Sequence, residues 1–322
     1  MDPRLAAWLA ATEGSDEEFA ERAWRLVLRR EVDPEARERT VAKLRAGTLS
    51  RATLLRELVE SEEFERVALL DDALAFAAGA RRALQRPREL TAPAGGDERA
   101  IEIPWCLARC GGERRVLDVG YAFAEPAYLA GLAALGATEL VGVDLAEADV
   151  PGLRPVVADV RALPFERRSF DLALCISTLE HVGLDNTVYG LAAERDDEGQ
   201  ERALRELRRV LVPDGRLLVT VPCGEAQDLG WQLQRPPLEW VRLYESAGLV
   251  VFEDEVYELG ADGWRSTSAF EPAGVRYGDR GPGASAVLCA ELRPRRLSQL
   301  VRLAVRDARR RGEPRRSTRG DA

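Results

Sequence analysis

The sequence predicts an α/β protein: a doubly wound, mostly parallel seven-stranded sheet with an all-α module in front of it. Three observations carry this. Short, near-continuous apolar runs recur at 116–119 (VLDV), 140–143 (LVGV), 155–158 (PVVA), 170–176 (FDLALCI) and 216–221 (RLLVTV), and unbroken apolarity marks strands buried on both faces. Helical stretches separate several of these runs, notably 125–135 and 200–211, an alternation that builds a parallel sheet covered on both sides. Before residue 101 the pattern is helical only. Two later runs, 249–259 (LVVFEDEVYEL) and 284–292 (ASAVLCAEL), are expected to finish the sheet.

Taken in order, Ser15 with Glu18 fits a capping box. Phe19, Ala23, Trp24, Val27 and Leu28 then follow at helical spacing. Asp33-Pro34 reads as an N-cap with proline at the first helical position, and Gly47 is placed to stop that helix. Ser50 caps a third helix carrying Leu54, Leu55 and Leu58, Ser61 a short fourth through Phe64, and 71–86 suggests another. The stretch FAERAWRLVLRREVDPEARERTVAKLRAGTLSRATLLRELVESEEF, with its D-P, G-x-x-S-R and final S-x-E-F, resembles the domain of unknown function 4214, related to phycobilisome linker domains. Arg29 and Val32 stand where that family usually has Gly and Pro, so a different turn is expected. The resemblance implies a helical accessory module making protein contacts through 15–64, and no chemistry. The chain then divides into a helical module (1–70), a connecting helix and linker (71–100, with TAPAGGDERA at 91–100), the α/β domain (101–292) and a basic tail (293–322).

Composition narrows the classes. The chain has 322 residues and a net charge of −9, but the tail holds 11 Arg against three acids. An acidic body argues against nucleic-acid binding by the fold. Leu297, Leu300, Val301, Leu303 and Val305 among the tail arginines suit a basic amphipathic helix against an anionic membrane face or an acidic partner; disorder is the other reading. No apolar run reaches the ~18 residues of a membrane span, and the start lacks the pattern of a signal peptide. Five cysteines, Cys106, Cys110, Cys175, Cys223 and Cys289, with one histidine make neither a disulfide framework nor a zinc site. A cytoplasmic protein is expected, with peripheral contact at the inner membrane face through 293–322. Cys106 and Cys110, one helical turn apart, read as core.

The chemistry should lie in RVLDVGYAFAEPAYLAGLAALGATELVGVDLAEAD. A strand ends in Asp118-Val119-Gly120, a loop follows, a helix starts near Glu125-Pro126, and the next strand ends at Asp144. Ligands of open α/β sheets bind at the carboxyl ends of the strands, where helix N-termini offer N–H groups. The G-x-G-x-x-G of dinucleotide enzymes is absent, since the loop is Gly120-Tyr121-Ala122-Phe123-Ala124; this counts against a nicotinamide-dependent oxidoreductase. Asp159-Val160 with ALPFERRSFD, then LCISTLEHVG, then ALRELRRVL with Pro213-Asp214-Gly215, follow in order.

Together, residues 101–292 resemble the class I S-adenosyl-L-methionine (SAM)-dependent methyltransferases of Rossmann-like fold, particularly the group with LEHV after strand four. The resemblance implies SAM as cofactor. It places Asp118, Gly120 and Ala122 around the methionine part and Asp144 on the ribose. Leu145 would lie beside the adenine, Asp159 face its amine with Val160 as neighbour, and Ile176 and Ser177 sit near the transferred methyl. Ala122 and Ala124 replace loop glycines, which is tolerated if both keep φ < 0. In some relatives two glutamates and the histidine bind a divalent metal; Ser177 stands at the first of those positions, so no metal is expected.

His181 has two readings, a base for a hydroxyl proton or, with Glu180, a loop cap. Asp185, Asn186 and Tyr189, in the long polar loop GLDNTVYGLAAERDDEGQ, suit a hydroxylated acceptor. Pro222-Cys223-Gly224, Trp264-Arg265 and Ile103-Pro104-Trp105 are further candidates for the cavity wall. The function expected is methyl transfer to oxygen, less favoured nitrogen, of a small polar acceptor such as a sugar or glycan precursor. The alternative is a non-catalytic SAM-binding or interaction protein, docking through its helical module and basic tail.

Overall fold

The structure, a computed structural model, describes residues 14–192, 195–267 and 274–295. The tail positions 296–322, including Leu297 to Val305, lie outside the described residues.

Among the described residues four helices come first: α1 (Asp16–Val27), α2 (Pro34–Arg45), α3 (Arg51–Val59) and α4 (Glu62–Arg82). The expected caps form. Ser15 Oγ accepts from Glu18 N while Glu18 reaches back to Ser15 N at 2.8 Å, and Asp33, Ser50 and Ser61 cap the next three helices. Phe19, Trp24, Val27, Leu28, Val32 and Leu58 close a small separate core. The turn after α1 keeps a left-handed residue, but here it is Arg29 at φ 58°. The short helix at 61–64 and the helix at 71–86 are instead one helix of 21 residues, because no Gly or Pro interrupts 65–70. It stops at Arg82, before Leu84, which is left-handed at φ 54°.

The α/β part follows as β1 (Thr91–Ala92), α5 (Arg99–Arg109), β2 (Arg115–Val119), α6 (Pro126–Ala133), β3 (Glu139–Asp144), β4 (Arg154–Val157), β5 (Phe170–Ile176), α7 (Gly199–Val210) and β6 (Leu211–Pro222). After it come β7 (Gln227–Asp228), β8 (Leu233–Gln234), α8 (Pro237–Ser246), β9 (Leu249–Gly260), β10 (Gly263–Ser266) and β11 (Ala286–Pro294). The main sheet runs β1-β10-β9-β11-β6-β5-β2-β3-β4. Neighbours from β4 through β6 are parallel, and β11, β9, β10 and β1 add on antiparallel.

Seven strands were expected, and among the described residues the main sheet has nine. The additions are short: β10 turns back from β9 through Gly263 at φ 110°, and Thr91–Ala92, in the segment read as linker, pairs with it. Two-residue edge strands leave no periodicity to read. α8 was also missed, its start hidden by Pro236-Pro237. The Pro213-Asp214-Gly215 turn lies within β6, where the register jumps from Phe170↔Leu211 to Leu172↔Arg216.

Helices cover both faces. Leu204, Leu207 and Val210 of α7 and Trp240 and Tyr244 of α8 pack on one side; Ala77 of α4, Ile103 and Leu107 of α5 and Leu132 of α6 pack on the other. All five cysteines are buried and free, with Cys110 Sγ against the Cys106 carbonyl at 3.3 Å. The chain steps outward from β2 to β4, then returns to β5 on the other side of β2. That reversal opens a crevice beyond the carboxyl ends of β2 and β5.

Candidate functional site

A cavity of about 450 Å³ occupies this crevice, within the range of small-molecule sites. Asp118, Gly120, Asp144, Leu145, Asp159, Val160, Ile176, Ser177, His181, Asn186 and Tyr189 all line it. Residues spread over seventy positions thus meet because each lies at the carboxyl end of a strand of one parallel sheet or in the loop after it.

Gly120 ends β2 at φ 90°. A Cβ here would strike the Thr178 side chain, so the crossing of the two loops requires glycine. Ala124 has φ −73° and Ala122 is not left-handed, so both alanines fit without strain. Ala122 is not among the residues that line the cavity, but its N–H donates to Asp144 Oδ2 at 3.0 Å. Asp144 also accepts from Ala146 N at 3.3 Å, tying the end of β3 to the Gly120 loop. Burial pushes its carboxyl up. Tyr121 is buried beneath, its hydroxyl accepting from Ala148 N, and leaves the crevice open. Phe123 stands at the rim, 5.1 Å from the Tyr189 ring.

Asp118 is buried beside the cavity. Its Oδ1 accepts from Tyr128 Oη at 2.6 Å, while Oδ2 has no partner. Burial pushes its carboxyl up to about 7, against the pull of Tyr128. An orphaned carboxylate oxygen here suits a ligand's ammonium or hydroxyl, because an unpaired buried charge is costly. Asp159 caps the turn at Val160 and grips Arg161, whose guanidinium also reaches Asp196 at 2.7 Å. Burial opposes ionisation of Asp159, but Arg161 wins and holds its carboxyl below the usual range.

Ser177 ends β5 in the left-handed region, φ 45°, a strained backbone of the kind found at functional sites. Its Oγ donates to Glu102 Oε2 at 2.6 Å. His181 closes the next turn. Its Nδ1 lies 2.9 Å from the Trp231 carbonyl; a carbonyl only accepts, so Nδ1 carries the proton and Nε2 the free lone pair. The ring stacks on Trp231 at 5.3 Å and meets Tyr189 edge-on. Burial lowers its basicity, the Trp231 contact opposing that, so the imidazole is neutral at pH 7.

Asn186 uses its amide to hold the carbonyls of Leu184 and His181. Asp185 stands outside the cavity lining, its carboxylate capping Thr187 N at 2.9 Å. Of the other candidate wall residues, Ile103 and Pro222 line the cavity. Trp105 and Trp264 are core, their indole N–H groups donating to Glu255 and to the Gly96 carbonyl. Residues not foreseen complete the wall: Glu98, Arg99, Glu102, Thr178, Trp231, Gln232, Tyr277 and Gly283. One signal was present, since Glu102 interrupts an otherwise apolar helix (AIEIPWCLA). Trp231 and Tyr277 sit in irregular loops with no pattern to mark them. Among the described residues no group of three or more His, Cys, Asp or Glu is placed to hold a metal ion.

Residues 117–219 match the family described as a methyltransferase domain, and 7–67 the domain of unknown function 4214. Within 117–219 the chain carries a methyltransferase domain, and a 4214 module precedes it. An uncharacterized protein of Methanocaldococcus jannaschii is 37% identical over 68 residues, 21% of this chain; the chain spans about a quarter of that relative, 23%. Among solved structures, the Burkholderia thailandensis 1,6-didemethyltoxoflavin-N1-methyltransferase with bound S-adenosylhomocysteine (SAH) is 18% identical, with a TM-score of 0.40, over 83% of this chain and 92% of that one. The [4+2]-cyclase SpnF gives 17% and 0.42 over 73% and 96%. A TehB-like SAM-dependent methyltransferase of Corynebacterium glutamicum gives 20% and 0.37 over 60% and 87%. The methyltransferase domain places its matched strands at the cavity just described. Among the described residues no helix is long and apolar enough to cross a membrane.

Proposed function

We propose that this protein transfers a methyl group from SAM to a hydroxyl oxygen of a small polar acceptor, with His181 as the base. The observation that carries the reading is the His181 imidazole, neutral and oriented, with Nδ1 committed to the Trp231 carbonyl and Nε2 left to accept a proton. The unpartnered Oδ2 of Asp118 fits the ammonium of the cofactor's methionine end. Asp144 keeps lone pairs for the ribose hydroxyls beside its two backbone contacts, and Leu145 and Val160 offer apolar surface to the adenine. Asp159 takes the amine edge while Arg161 fixes its carboxylate. When bound, the sulfonium supplies an electrophilic methyl group. The chain's part is alignment of an acceptor oxygen against that carbon and removal of the hydroxyl proton to His181 Nε2.

Asn186 and Tyr189 border the acceptor side. A sugar or glycan precursor suits this polar, ring-lined wall. The 4214 module and the 293–322 tail are the parts suited to docking on a protein or an anionic membrane surface.

Calorimetry with SAH tests the cofactor half. Wild type should bind, and Asp144→Ala should weaken binding about tenfold, ~1.4 kcal/mol. Methyl transfer from labelled SAM into small-molecule extract tests the rest. His181→Gln should keep SAH affinity yet lose about 10²-fold or more in turnover. Because burial lowers the His181 pKa, wild-type turnover should fall only as pH drops below the ordinary histidine value of about 6.5. Unchanged turnover in His181→Gln refutes the assigned base.

A further inference from the structure

Three glutamates that the mechanism leaves unused line the acceptor side of the cavity: Glu98, Glu102 and Glu180. All are buried, at 7%, 0% and 2% exposure. Each keeps one carboxyl oxygen without a hydrogen-bond partner: Glu98 Oε2, Glu102 Oε1 and Glu180 Oε2. Gly283 makes room for the first, since a Cβ there would collide with Glu98 Oε2. Burial pushes all three carboxyls up, Glu102 to about 7; repulsion from Asp97 adds to it at Glu98, from Glu98 at Glu102, and from Glu102 and Glu98 at Glu180.

The cation beside them, Arg99, is already shared. Its guanidinium lies 3.2 Å from Glu98 Oε1 and 3.6 Å from each of Asp97 and Glu125. Acid therefore exceeds base around these buried side chains, an arrangement that an entering cation relieves. Part of the lining is aromatic: Trp231 meets Tyr277 edge-on at 5.9 Å and stacks on His181. Ring faces and buried carboxylates together are the chemistry that holds an ammonium group. Glu180 Oε1 is only 3.9 Å from His181 Nε2, so one small molecule can reach both the acids and the base.

We infer that the acceptor is a small hydroxylated amine, its protonated amine seated among Glu98, Glu102 and Glu180 and its hydroxyl presented to His181 Nε2. This rests on the methyltransferase reading above and names its substrate class. The cofactor also carries an ammonium, so the test must separate the two.

The full chain, saturated with SAH, is titrated calorimetrically with glucosamine, N-acetylglucosamine and glucose as probes. Glucosamine should bind at least about tenfold tighter than the other two. Glu98→Gln and Glu180→Gln should reduce that preference to about threefold or less while SAH affinity stays at the wild-type value; thermal melts confirm that both variants fold. Equal binding of the three probes, or binding of none, overturns the inference. So does loss of SAH affinity in both variants, which would assign the acids to the cofactor, or a methyl group found on nitrogen in the product. Failure of wild type to bind SAH at all would strike the methyltransferase reading itself and remove this inference with it.

Discussion

Asp118→Asn should stabilise the ligand-free protein at alkaline pH while crippling it as a cofactor binder. In the folded chain the Asp118 carboxyl titrates at about 7, raised by burial from 3.8. A group whose folded pKa lies above its unfolded value binds more protons when folded, so stability falls as pH rises from about 4 to about 7. Three units correspond to about 4 kcal/mol above pH 7 and about 2 kcal/mol at pH 5. The asparagine keeps the bond from Tyr128, because its carbonyl replaces Oδ1, but buries an unpaired amide costing about 1–2 kcal/mol. The net expectation is a gain of roughly 2 kcal/mol at pH 8 and about none at pH 5. Urea unfolding at the two pH values reads this directly, and SAH calorimetry should show affinity reduced about tenfold or more. A variant less stable than wild type at pH 8, or a difference independent of pH, would show that Asp118 carries no uncompensated charge.

Two further substitutions probe the backbone. Gly120→Ala combines a left-handed φ with a Cβ driven into Thr178; it should cost about 1–3 kcal/mol and abolish SAH binding, measured by melting and calorimetry. Arg29→Gly relieves the left-handed residue after α1 and loses only an exposed contact to Asp71 at 3.4 Å. It should stabilise the helical module by about 1 kcal/mol, seen as a higher urea midpoint; a lower one would mean that the Asp71 contact outweighs the strain.

The fold was legible wherever a signal is local. Ser15, Asp33, Ser50 and Ser61 announce helix starts because capping is settled within four residues. The five parallel strands announce themselves because burial on both faces demands unbroken apolar runs. The strand-end residues of the proposed cofactor side were legible for a related reason. Asp118 and Asp144 lie at the ends of β2 and β3, and Gly120, Asp159 and Ser177 just past β2, β4 and β5, so locating the strands locates the residues.

The acceptor side was not legible. Glu102 comes from α5 and Glu98 from the residue just before it, Trp231 from the β7–β8 turn, Tyr277 and Gly283 from the loop before β11. Nothing near them in the chain says that they face one another. Asp185 shows the converse, a polar residue in the right loop that spends its carboxylate on Thr187 N.

The sequence by itself determined the helix caps, the five parallel strands and the residues at their ends, because periodicity and capping act over a few positions. Only the tertiary structure decided that Nδ1 of His181 is held by Trp231 and that three buried glutamates line one cavity. Burial, orphaned oxygens and the orientation of a ring are properties of what surrounds a side chain, and those surroundings are supplied by segments up to a hundred or more residues away.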